Sequence, residues 1–114
     1  MAEAPSFIRA STVRHVGWLD FNRPPVNAFN HQMVEETRDA IAAALADPEI
    51  RVIVLGSAVD SYFSAGADLK VFKGMTGVGM RSWALLTHEI VRLLRSSPKP
   101  LLAAISGTAV GGGL

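Results

Sequence analysis

Tyr62-Phe63-Ser64-Ala65-Gly66-Ala67-Asp68-Leu69-Lys70 and, near the far end, Gly107-Thr108-Ala109-Val110-Gly111-Gly112-Gly113-Leu114 decide how the rest of the chain reads. Each follows a strand-like run, residues 51–56 and 101–106, and each places small residues where a strand hands over to a helix. With no bulky side chain in the way, main-chain N–H groups can approach a ligand oxygen, and a helix start adds partial positive charge that favours an anion. Two such turns side by side would offer a pair of donors to one oxyanion. The plainer alternative is a pair of tight, closely packed turns that serve no ligand.

The segments around these turns alternate between strand and helix patterns. Residues 50–55 are a short β-branched run, and its neighbour in the same hand is expected at residues 101–105 after an intervening helix; both read as buried parallel strands. Between them, Asp68 is placed to cap a short helical turn reaching Lys73, Gly74 and Gly77-Val78-Gly79 loosen the chain, and residues 81–95 form a longer helix. Its stripe Trp83, Leu86, Ile90, Leu93 and Leu94 has helical period, and Pro98 and Pro100 stop it. Upstream, residues 7–10 and 13–21 read as a hairpin joined at Ser11-Thr12. Arg23-Pro24-Pro25 interrupts regular structure, Asn30 caps the next helix, and Val34, Thr37, Ile41, Ala44 and Leu45 form its apolar stripe before Asp47-Pro48 closes it.

Composition narrows the function classes. The 114 residues suit one small domain, able to bury roughly 60–70% of its unfolded surface if it folds alone. With 49% hydrophobic and 18% charged residues, the chain reads like the inside of something larger. A net charge of +1 provides no general basic field for nucleic acid or a membrane surface. There is no cysteine, hence no disulfide framework or thiolate metal site. His15, His31 and His88 are isolated, without zinc or haem spacing, so no metal is expected. Residues 1–5 lack a basic start followed by an apolar core, and no apolar run nears about 18 residues, so a cytoplasmic protein is the expectation.

Phe63-Ser64-Ala65-Gly66-Ala67-Asp68-Leu69-Lys70, Gly107-Thr108-Ala109-Val110-Gly111-Gly112-Gly113-Leu114 and Asn22-Arg23-Pro24-Pro25-Val26-Asn27-Ala28-Phe29-Asn30, in that spacing, resemble the enoyl-CoA hydratase/isomerase (crotonase) family from about residue 13 to the last. The resemblance implies an α/β fold, the N-terminal part of a crotonase-like β/α spiral built from a hairpin and strand-turn-helix units, with residues 1–114 as one unit. It implies that the N–H groups of Ala67 and Gly112 stabilise an enolate or oxyanion, and that main chain at Ser64, Ala65, Ala67, Asp68 and Leu69, with Val26 and Ala28, lines the slot for an acyl-CoA substrate. Coenzyme A would enter as part of that thioester, with no separate cofactor. Where some relatives carry a basic residue after Arg-Pro this chain has Pro25, leaving Arg23, Lys70 or Lys73 as possible phosphate contacts.

In the family a catalytic glutamate commonly follows the Gly-Gly-Gly-Leu turn, whereas this sequence stops at Leu114. The expectation is therefore a portion truncated before the acid/base carboxylates. Its parent would be a hydratase (a lyase) or an isomerase of fatty acid metabolism, with dehalogenation and thioester hydrolysis also open. The 114-residue chain itself is expected to be inactive. The complete enzyme would form trimers or hexamers, and the shorter chain would self-associate through apolar surface. The competing reading is a non-catalytic interaction or structural module. A nucleotide-binding module fits poorly, because the glycines match neither Gly-x-Gly-x-x-Gly nor Gly-Lys-Ser/Thr. Asp68 reads as a cap that holds Ala67 rather than as an acid or base. Phe72, Met75, Met80 and Trp83 suit an acyl-pocket wall and plain core equally well.

Overall fold

The computed structural model describes residues 6–114. Residues 1–5, read above as lacking a targeting signal, lie outside them. The sheet begins with β1 (Ile8–Val13) and β2 (Val16–Phe21), an antiparallel pair in register Val13 to Val16. The turn is thus Arg14-His15, with φ of +48° and +68°, and not the expected Ser11-Thr12. Tertiary contact explains the shift. The His15 carbonyl accepts from the Arg51 N–H at 2.8 Å, and the His15 ring meets the Glu49 carbonyl at 2.9 Å, which holds two residues without turn-former chemistry in a left-handed bend.

Helix α1 (His31–Ala46) starts where expected: Asn30 Oδ1 accepts from the Met33 N–H at 2.8 Å. Its inward side chains Met33, Ile41 and Ala44 join Leu19, Phe21, Ile53 and Phe63 in the main core. Full burial of Met33 and Ile41 stabilises the domain by about 1.5–3 kcal/mol each. At the other end of α1, the Lys99 ammonium donates to the Ala44 and Asp47 carbonyls at 2.7 and 2.8 Å, closing off acceptors that the helix leaves unpaired.

From α1 the chain crosses to β3 (Val52–Ser57), parallel to β2, then through β4 (Tyr62–Ser64), a 3₁₀ turn (Leu69–Phe72) and α2 (Gly77–Arg95) to β5 (Leu101–Ala103), parallel to β3. The order in the sheet is β1-β2-β3-β5. A second, two-stranded parallel sheet joins β4 to β6 (Thr108–Ala109), a pairing that local sequence does not announce. The last element is a 3₁₀ turn at Gly111–Gly113.

Two expectations change here. The glycines at 77 and 79 lie inside α2, because Thr76 caps the helix by accepting from the Gly79 N–H at 3.1 Å. A first helical turn lacks intrahelical N–H partners, so a cap there offsets the poor helix propensity of glycine. Strand β5 is parallel as expected but only partly buried: Leu101 packs against the main core, whereas Leu102 is 58% exposed, and β5 is the edge of the sheet.

Candidate functional site

Construction of the site starts at the Arg23-Pro24-Pro25-Val26-Asn27 bend. Asn27 has a φ of +53° and is fully buried. Its amide donates to Ser57 Oγ at 2.8 Å and to the Phe63 carbonyl at 3.0 Å, while its Oδ1 accepts from the Arg23 N–H at 2.8 Å. One side chain therefore ties the bend to the ends of β3 and β4. Sequence reading quoted Asn27 inside the motif and assigned it no role; the usable signal was an asparagine, which tolerates left-handed backbone, just past two prolines.

Ser64, also fully buried, continues the network: its Oγ donates to the Asn27 carbonyl at 2.8 Å and accepts from the Gly66 N–H at 3.1 Å. Among the described residues its Oγ partners are main chain and not histidine, in keeping with a structural hydroxyl. The Ala65 N–H donates to the Val26 carbonyl at 3.0 Å. A parallel bridge then forms between Phe29 and Ala67, with Phe29 N–H donating to the Gly66 carbonyl at 2.8 Å and Asp68 N–H to the Phe29 carbonyl at 2.9 Å. Val26, Ala28 and residues 64–68 are thus brought into one corner, whereas the Leu69 side chain is 79% exposed.

The second corner lies directly against the first. The Val110 N–H donates to the Ser64 carbonyl at 3.1 Å, and Gly113 is buried against Ser64 so closely that a methyl group there would sit 2.6 Å from the Ser64 Cβ. Gly66, with a φ of +88°, faces this corner too; a methyl on it would lie 3.3 Å from the Gly112 nitrogen. A side chain at either position would push the corners apart.

Main-chain donors follow by elimination. In the first corner the N–H groups of Ala65, Gly66 and Asp68 are all engaged, and the Ala67 N–H has no partner among the described residues. In the second, those of Val110, Gly113 and Leu114 are engaged, while those of Gly111 and Gly112 have none. A trans peptide aims its N–H opposite to its C=O. The Gly66 carbonyl is held by Phe29 and the Gly111 carbonyl by the Leu114 N–H at 3.1 Å, so the Ala67 and Gly112 N–H groups each point away from the bond that fixes their own peptide.

Ala67 and Gly112 line the same cavity of about 550 Å³, whose walls include Phe21, Phe29, Trp83 and Ile90. Among the described residues that line it, none is a carboxylate, histidine or lysine. Trp83 meets Phe72 edge-to-face at 5.6 Å; Phe72 and Met75 pack against the Val34, Trp83 and Leu86 cluster, and Met80 is 44% exposed. Of these four residues, Trp83 lines the cavity.

Asp68 caps the 3₁₀ turn by accepting from the Lys70 N–H at 3.1 Å through Oδ1, and its Oδ2 accepts from Arg23 Nη1 at 3.0 Å. The Lys70 backbone N–H and then the Arg23 guanidinium hold its carboxyl below the usual carboxylate range. Among the described residues, no three His, Asp or Glu side chains gather as metal ligands do, and no helix is long and apolar enough to cross a membrane.

Residues 12–114 match the sequence profile of the enoyl-CoA hydratase/isomerase family. The chain is 33% identical over 96 residues to a crotonyl-CoA hydratase of Syntrophomonas wolfei, covering 83% of this chain and 37% of that protein. It is 33% identical over 99 residues to a short-chain-enoyl-CoA hydratase of Clostridium acetobutylicum, covering 86% and 38%. Among solved structures, an enoyl-CoA hydratase from Bacillus anthracis superimposes with a TM-score of 0.87 at 29% identity, over 95% of this chain and 43% of that one. The chain therefore spans less than half the length of these relatives, and it belongs to the enoyl-CoA hydratase/isomerase (crotonase) family.

Proposed function

We propose that this chain carries the carbonyl-polarising part of an acyl-CoA site of the enoyl-CoA hydratase type, with the N–H groups of Ala67 and Gly112 as paired donors to the thioester oxygen. The observation that supports the reading most is the pair of open donors at one cavity, each in a peptide whose carbonyl is already fixed. Negative charge collects on a thioester oxygen during addition to the conjugated double bond or proton removal beside the carbonyl. Donors that need no reorganisation lower that barrier, typically by about 2.7–4 kcal/mol each. Main chain at residues 64–69, with Val26 and Ala28, would take the coenzyme A portion.

Among the described residues, the cavity lining holds no carboxylate, histidine or lysine to move a proton. Hydration needs one group to activate water and another to protonate the α-carbon. Carboxylates supplied by other polypeptide would complete the reaction, and this chain alone binds and polarises without turnover. The second reading, a non-catalytic interaction or structural module, draws on Leu102, Ile105 and Leu114, each more than half exposed.

Calorimetry with crotonyl-CoA and with free coenzyme A, joined to the ¹³C shift of the labelled thioester carbonyl, separates the two. Binding with a downfield carbonyl shift supports the paired-donor reading. Absence of binding, or binding with an unmoved carbonyl, refutes it and leaves the module.

A further inference from the structure

We propose that Arg23 is a positioning residue that clamps the Ala67 corner through Asp68, and that it does not serve as a phosphate contact for coenzyme A. The functional part of this inference rests on the paired-donor reading above; the clamp itself does not. One nitrogen, Arg23 Nη1, donates at once to the Ala28 carbonyl at 2.7 Å and to Asp68 Oδ2 at 3.0 Å. The side chain is only 25% exposed and that of Asp68 only 17%, so the ion pair is shielded from solvent on most sides. The guanidinium also lies over the Phe7 ring, 5.5 Å from its centroid.

These contacts flank the peptide that carries the Ala67 donor. Ala28 and Asp68 are the residues just before and just after the two ends of the Phe29–Ala67 bridge, and Arg23 joins them across it. The bridge holds the Gly66 carbonyl, and through it the direction of the Ala67 N–H. Asp68 is further pinned by the Lys70 N–H on its other oxygen, so the carboxylate cannot follow a moving guanidinium. Arg23 is itself anchored at its main chain by Asn27. The ion pair fixes the direction of the guanidinium and leaves only a quarter of the Arg23 side chain exposed, whereas Lys70 is exposed and can meet a phosphate from solvent.

The test uses the full chain and the variants Arg23→Met, Arg23→Lys and Asp68→Asn. Amide hydrogen exchange is read at Phe29 and Asp68, the two bridge donors, with Ile41 in α1 as the internal reference. Affinity for free coenzyme A is measured at low and high salt, and the ¹³C shift of bound crotonyl-CoA reports carbonyl polarisation. The clamp predicts at least tenfold faster exchange at Phe29 and Asp68 in Arg23→Met, unchanged exchange at Ile41, partial protection restored in Arg23→Lys, and a coenzyme A affinity whose ratio to wild type is the same at low and high salt. The carbonyl shift should shrink in the same order. Bridge protection unchanged in both Arg23 variants overturns the proposal, as does a tenfold, salt-dependent loss of coenzyme A affinity. If Arg23→Met fails to fold, Arg23→Lys and Asp68→Asn carry the same readouts. A wild-type chain that does not polarise the thioester refutes the paired-donor reading alone, because the exchange comparison still decides whether the clamp exists.

Discussion

The two glycine-bearing corners do the same geometric job with different support. The corner at residues 64–68 is held by side chains from three directions: Asn27 from the bend, Ser64 from within, and Asp68 with Arg23 on the outer side. The corner at residues 110–114 has no side-chain cap and is held by main-chain bonds and by the close fit of Gly113 against Ser64. Val110, Gly111, Gly112 and Leu114 are all exposed. The first corner is therefore built by its own surroundings, and the second takes its position from the first. A pair of donors needs only one rigid partner if the other is seated directly on it.

Removing the polar hub should separate the corners most clearly. Asn27→Ala strands a buried Phe63 carbonyl, an Arg23 N–H and a Ser57 hydroxyl contact, and places alanine at a positive φ, so it should cost about 3–5 kcal/mol in urea denaturation. A loss under 1 kcal/mol would mean that the first corner does not depend on the bend.

The donor itself is tested at Gly112. Its added Cβ would meet nothing within 4 Å, and proline there removes the N–H. Gly112→Pro should leave the denaturation midpoint nearly unchanged and abolish the downfield shift of a bound thioester carbonyl. In a complete enzyme carrying the same change, the lost donor should raise the barrier by about 2.7–4 kcal/mol. Normal polarisation in this variant would remove Gly112 from the site.

Gly113→Ala probes how the second corner is seated. The new methyl would lie 2.6 Å from the Ser64 Cβ and 2.7 Å from the Ser64 carbonyl oxygen, so the seat must open, at a cost of about 1–3 kcal/mol. Amide exchange at Val110 should accelerate while that at Asp68 stays slow. Equal acceleration at both would show that the corners move as one body.

The smallest effect is the pH response of the outer clamp. Arg23 and Lys70 are the charged groups that face Asp68, and its folded-state carboxyl is held below the ordinary range. The stabilisation is then fully present above the ordinary carboxylate value and is lost as pH falls through the lowered one. An amide titration of Lys70 should show that acidic midpoint in the wild type and move upward in Arg23→Met. An unmoved midpoint would detach Arg23 from the corner.

Much of this was legible locally. Asn30, Asp68 and the stripe of α1 act over three or four residues, so caps and periodicity located them without knowledge of the fold. The three motifs marked where both corners would fall. Other features escaped because distant contacts create them: the Arg14-His15 turn is held by residues 49–51, and β6 exists only because β4 is there to pair with it.

By itself, then, the amino-acid order determined the succession of strands and helices, the placement of small residues at both corners and the family. Tertiary structure alone decided that the corners touch, that Asn27 is their hub, and that Arg23 turns inward to Asp68. The reason is range. Backbone preference and capping act within one turn of chain, while the direction of a free N–H is set by what holds the carbonyl of its own peptide, and for Ala67 that partner, Phe29, lies more than thirty residues away.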